Sequence, residues 1–67
     1  MNQSPHYLMK FLEANGILLK RSKGSHHIFF NATSNTAVIV LVHKNKDMKN
    51  GTLLALLKQA GIDKNEF

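Results

Sequence analysis

Between Ala37 and Val42 the chain runs through AVIVLV, a stretch without a single polar side chain. Val38, Ile39, Val40 and Val42 are β-branched, stiff at χ1 and suited to a pleated surface. The stretch therefore reads as a strand from Thr36 to Val42. Successive strand residues point to opposite faces, so Val38, Val40 and Val42 take one face and Ile39 and Leu41 the other. A strand apolar on both faces needs cover on both. In a short meander it would also lie at an edge, which soluble proteins usually blunt with charge. Two readings follow: a thick core with side cover from a loop, or a surface kept for another protein.

The rest of the chain supplies little material for a thick core. Its 67 residues make a single domain, 1–67, and a domain of that size buries only about 60% of its unfolded surface. There is no cysteine, so disulfides and thiolate-bound zinc are both excluded as staples. A hydrophobic content of 43% with one proline argues for a folded chain. No apolar run approaches the ~20 residues of a membrane span, and the N-terminus lacks a signal-peptide pattern. No membrane association and a cytoplasmic location are the expectation.

Punctuation divides the chain into five elements. Ser4 is a good N-cap and Pro5 suits the first helical position. Tyr7, Leu8, Phe11 and Leu12 share one helical face, and Asn15-Gly16 stops the helix near Ala14. Ile17 to Lys20 reads as a short strand broken by Ser22-Lys23-Gly24, and His27 to Asn31 as a second. Polar links of this length suit antiparallel hairpins. After a basic loop from His43 to Gly51, Thr52 is placed to cap a second helix. Its stripe is Leu53, Leu56, Leu57 and Ala60, and it ends at Gly61 with Ile62 as the following apolar contact. The expected fold is α+β in the order α-β-β-β-α. A three-stranded antiparallel sheet would carry two helices on one face and leave the other free.

The net charge is +5, and six of the nine cations fall in two segments: Lys20, Arg21 and Lys23, then Lys44, Lys46 and Lys49. Clustering in loops that flank strands is the electrostatic footprint of a nucleic-acid binder. The plainer reading is solvated charge that keeps a small protein soluble.

Beside the first cluster lies Gly24-Ser25-His26-His27-Ile28. Imidazole gives and takes protons near neutrality, and the flanking cations suit a phosphate. His26 and His27 point to opposite faces of a strand, and because Phe30 follows on one side and Phe29 on the other, alternation does not say which faces solvent. The plain alternative is a polar strand end. His6, His26, His27 and His43 have no HxxxH or HxH spacing and few carboxylates, so no metal or other cofactor is expected. A Ser-His-Asp triad is also poorly supplied. What the chain offers is an imidazole base and cations, a set sufficient when an RNA substrate brings its own 2′-hydroxyl nucleophile. Ser25 can orient the imidazole, bond a phosphate or cap the strand entrance.

Four segments, taken together, carry a family resemblance: Lys23-Gly24-Ser25-His26-His27-Ile28-Phe29, Val42-His43, Lys49-Asn50-Gly51-Thr52-Leu53 and Leu57-Lys58-Gln59-Ala60-Gly61-Ile62. In this order and spacing the chain resembles the HicA family of toxin mRNA interferases. The resemblance implies a fold like that of double-stranded-RNA-binding domains, translation-independent cleavage of mRNA, and neutralisation by a HicB-type antitoxin; the lack of metal-ligand spacing makes that cleavage metal-independent. The motif's histidine carries onto His26, with His27, one residue later, as the runner-up. Arg21, Lys23, Gly24 and Ser25 become candidate RNA contacts at the histidine, and Lys44, Lys46 and Lys49 in the loop. The family's proline two residues before the histidine matching His43 is replaced here by Leu41, which leaves that strand end less rigidly defined. Two rivals remain: a non-catalytic RNA-binding module of the same fold, and an interaction protein whose charge suits an acidic partner.

Overall fold

The computed structural model describes residues 3–43 and 46–67. Its elements follow the expected order: α1 (Pro5–Ala14), β1 (Leu18–Lys23), β2 (His26–Asn31), β3 (Thr36–Leu41) and α2 (Asn50–Ala60), with a 3-10 turn at Lys64–Glu66. The strands form one antiparallel sheet in the order β1-β2-β3. The fold is α+β.

Helix α1 starts as its sequence dictates. The Ser4 hydroxyl accepts from the Tyr7 backbone N–H at 3.4 Å, and Pro5 occupies the first turn. Leu8 and Leu12 are fully buried, whereas Tyr7 stays 42% exposed. The Phe67 ring sits edge-on to Tyr7 and Phe11 at 5.1 and 5.0 Å, so the chain's last residue covers the flank of the helix. Helix α2 ends at Gly61, whose φ of 77° is open to glycine at little cost. The Ile62 N–H then donates to the Leu57 carbonyl at 2.9 Å, and Ile62 packs on the core.

Five boundaries differ from expectation, two of them, the start of β1 at Leu18 and the end of β3 at Leu41, by one residue each. Helix α2 begins at Asn50 behind Lys49, which makes no side-chain cap bond, rather than at Thr52. Met48 is the cause: it is buried, and its N–H donates to the Gln3 carbonyl at 2.8 Å, aiming the chain into the helix a turn early. Strand β1 continues past Lys20 to Lys23, and β2 starts at His26 rather than His27. Both extensions follow from a two-residue turn, Gly24-Ser25, that places Lys23 opposite His26. Gly24 has φ 58°, at the first turn position, where type II′ hairpins favour glycine. Polar residues are admissible in β1 because it is an edge strand, exposed throughout.

The core lies between the two helices and one face of the sheet. Leu8 and Leu12 of α1, Leu53, Leu57 and Ala60 of α2, and Ile17 and Met48 close around Phe29, Val38 and Val40. The hairpin is also tied to α2, since Asn31 Nδ2 donates to the Ala60 carbonyl at 3.3 Å. Ile39 and Leu41, on the other face of β3, remain 47% and 43% exposed. No helix among the described residues is long and apolar enough to cross a membrane.

Candidate nucleic-acid interface

The strand register assigns the two histidines to different environments. His27 pairs with Ser22 and Val40 and shares its face with Phe29, the most buried residue of β2. It is part-buried, and its Nδ1 lies 3.3 Å from the Ser25 carbonyl. A carbonyl only accepts, so that nitrogen must carry the proton when the bond is made. His26 is exposed and faces the side of the sheet that no helix covers.

Three cross-strand rows lie on that open face: Lys23–His26–Leu41, Arg21–Ile28–Ile39 and Leu18–Phe30–Ala37. In the first two a cation stands on β1, the central residue on β2 and an aliphatic side chain on β3. The cations reach this face through a β-bulge. Pairing shifts between Leu19 and Arg21, leaving Lys20 as the extra residue. Strict alternation from Leu18 would have put Lys20 and Ser22 on the open face. The bulge puts Arg21 and Lys23 there instead. Lys20 still reaches this face, its Nζ lying 4.9 Å from the centre of the Phe30 ring.

Arg21, Lys23, Gly24, Ser25, His26 and Ile28 line one shallow hollow. Five of these residues were expected from the sequence to act together. Ile28 was not, because an apolar residue in a strand carries no functional signal until its face is known. Phe30 was likewise legible only once the register was in place, whereas Lys20 already stood in the basic cluster of the sequence and only its contact with Phe30 is new. The loop cations do not join this group. Lys46 and Lys49 line a separate hollow of about 410 Å³ with Ile39, Leu41, His43 and Leu56. Leu41, the partner of His26 on β3, belongs to that second hollow, so the two adjoin across the strand. Lys44 lies outside the described residues.

The chemistry of the first hollow is that of an anion site with a proton carrier. Arg21 and Lys23 bring two cations suited to a phosphate, and an exposed imidazole stands beside them. Among the described residues no three of His, Cys, Asp and Glu cluster as a metal site.

A small α+β chain with an exposed histidine between basic and apolar strands is thus the class of protein in hand. The profile of a family described as the HicA toxin of bacterial toxin-antitoxin matches residues 7–62. That span covers every strand and all of α2, and the chain belongs to the HicA toxin family. Comparison with curated proteins finds no match. Membership makes the chain a toxin of a toxin–antitoxin system, and an antitoxin is its implied partner.

Proposed function

We propose that this toxin is an endoribonuclease that cleaves mRNA in the cytoplasm with His26 as general base and without a metal ion. The observation that carries the reading is that His26 shares an uncovered hollow with Arg21 and Lys23, whereas His27 lies on the helix-covered face. In the proposed reaction Arg21 and Lys23 hold the scissile phosphate and offset the charge that grows on its oxygens. His26 takes the proton from the adjacent 2′-hydroxyl. The 2′-oxygen bonds to phosphorus, the bond to the 5′-oxygen breaks, and the leaving oxygen takes a proton from water. Gly24 and Ser25 let backbone and hydroxyl approach the same phosphate, and Lys46 and Lys49 attract the RNA strand from the neighbouring hollow.

Control falls to a HicB-type antitoxin that shields the His26 face. The aliphatic side chains of β3 give such a partner apolar surface to bury, and a chain of net charge +5 attracts an acidic one.

The test is cleavage of an RNA oligonucleotide by purified variants. Loss of a general base costs on the order of 10²–10⁴ in rate, so His26→Ala is expected to fall by that factor with its circular dichroism unchanged. His27→Ala should stay far closer to wild type. A fully active His26→Ala beside an inactive His27→Ala would move the base to His27. A wild-type chain that binds RNA and never cuts it would leave only the binding-module reading.

A further inference from the structure

We propose that the open face takes a single strand of RNA laid along β2, with its phosphates toward β1 and its bases toward β3. The proposal rests on the nuclease reading above and adds the form of RNA accepted and the residues that hold its bases.

The face is divided lengthwise. Its β1 side carries Arg21 and Lys23, with Lys20 reaching in over Phe30, and only its far end, at Leu18, is apolar. On the β3 side its members are Ala37, Ile39 and Leu41, none with a polar group. A single strand is divided in the same sense, with an anionic backbone along one side and unpaired bases with apolar faces along the other. A duplex is not. Its bases are stacked inward, and it would set phosphates and 2′-hydroxyls against Ile39 and Leu41, where they lose water and gain no partner. Among the described residues, the Lys46–Lys49 pair beyond β3 is placed to serve a second backbone, which makes a duplex the necessary comparison.

Phe30 is the stacking residue in this arrangement. It shares a face with His26 four positions along the strand, about 13 Å away at ~3.3 Å per residue. It is half-buried, and its ring already accepts a cation from Lys20. A base displacing that lysine exchanges a cation contact for a stack, and the freed ammonium lies on the side where the phosphates run. Ile39 supplies apolar contact to the base between Phe30 and the cleaved linkage.

The experiment uses the full chain with His26→Ala, so that RNA survives the measurement. The probes are a short unstructured fluorescein-labelled RNA and the same strand annealed to its complement, titrated over a range of salt concentrations. The single strand should bind about tenfold tighter or more, in line with one stacked base. Adding Phe30→Ala or Ile39→Ser should weaken single-strand binding several-fold to about a hundredfold with the salt slope unchanged, and Phe30→Tyr should restore it. Adding Lys23→Gln should reduce that slope by about 0.7, one phosphate contact. Ile39 is half-exposed, so Ile39→Ser reads the contact even if Phe30→Ala perturbs the sheet. Equal binding of duplex and single strand, or parental affinity in both Phe30→Ala and Ile39→Ser, would overturn the proposal while leaving the nuclease intact. A chain that binds neither probe would overturn the nuclease reading as well.

Discussion

The two faces of this sheet are made from the same three strands and have opposite fates. On one, Phe29, Val38 and Val40 vanish beneath two helices. On the other, Ile28 and Phe30 are half-covered, and Ile39 and Leu41 stand nearly half in water. Both faces of β3 are aliphatic, so composition alone would treat them alike. The difference teaches that an apolar residue here has two separate uses. On the covered face it supplies the stability of a small domain. On the open face it costs solubility, and it suits a face that is covered by something else.

The largest expected effect lies on the covered side. Phe29→Ala leaves a cavity where the sheet meets both helices, and such truncations cost about 3–5 kcal/mol. For a 67-residue domain that is a large share of the whole, since domains are stabilised by only ~0.05–0.15 kcal/mol per residue. Urea denaturation followed by circular dichroism should find the unfolding midpoint sharply lowered. Ile39→Ala, measured the same way, should stay within about 0.5 kcal/mol. Equal losses at both positions would mean that the open face is core after all.

On the open side the effect should appear in binding instead. Ile39→Asp and Leu41→Asp are expected to weaken the complex with the cognate antitoxin by about tenfold or more, the ~1.4 kcal/mol of a modest interface anchor. Lys58→Ala, an exposed change on α2, should leave affinity near wild type. Titrations on variants that retain native circular dichroism would decide it. Unchanged affinity in both Asp variants would place the partner elsewhere.

A smaller effect tests how the cations reach the open face. Deleting Lys20 removes the extra residue of the bulge and lets Leu19 run directly into Arg21 in a regular ladder. Arg21 and Lys23 should keep their places opposite Ile28 and His26, so RNA cleavage should persist. Loss of the Lys20–Phe30 contact should cost about 0.5–1 kcal/mol of stability. If the strand instead has no bulge, Arg21 and Lys23 of the intact chain face the helices, and the deletion turns them onto the open face and raises cleavage. The smallest expected effect is none: cleavage should be the same in EDTA as without it. A loss restored by a divalent ion would end the metal-free mechanism.

Much of the fold was legible because its signals are local. Ser4-Pro5, Asn15-Gly16 and Gly61 mark helix ends through the backbone chemistry of one or two residues, and six consecutive apolar residues from Ala37 mark a strand. The start of α2 was misplaced because the burial of Met48, not the capping preference of Thr52, sets the entry of the chain. At the candidate site, the cluster Arg21, Lys23, Gly24, Ser25 and His26 was legible as neighbours in sequence, since a tight turn keeps neighbours together. Lys46 and Lys49 were grouped with them by charge, but charge carries no address, and they line another hollow.

By itself, then, the sequence determined the order of elements, the basic segments and the pair of histidines with the turn before them. Tertiary structure decided which histidine faces water. Alternation splits a strand into two sets but does not say which set the helices will cover, and here Phe29 and Phe30 gave both sets an aromatic. That choice was made where α1 and α2 pack, on Phe29, Val38 and Val40. The bulge was decided in the sheet, by the pairing of β1 with β2. One unpaired residue in β1 reverses the parity of everything after it, and only pairing with β2 shows that Arg21 and Lys23 stand beside His26.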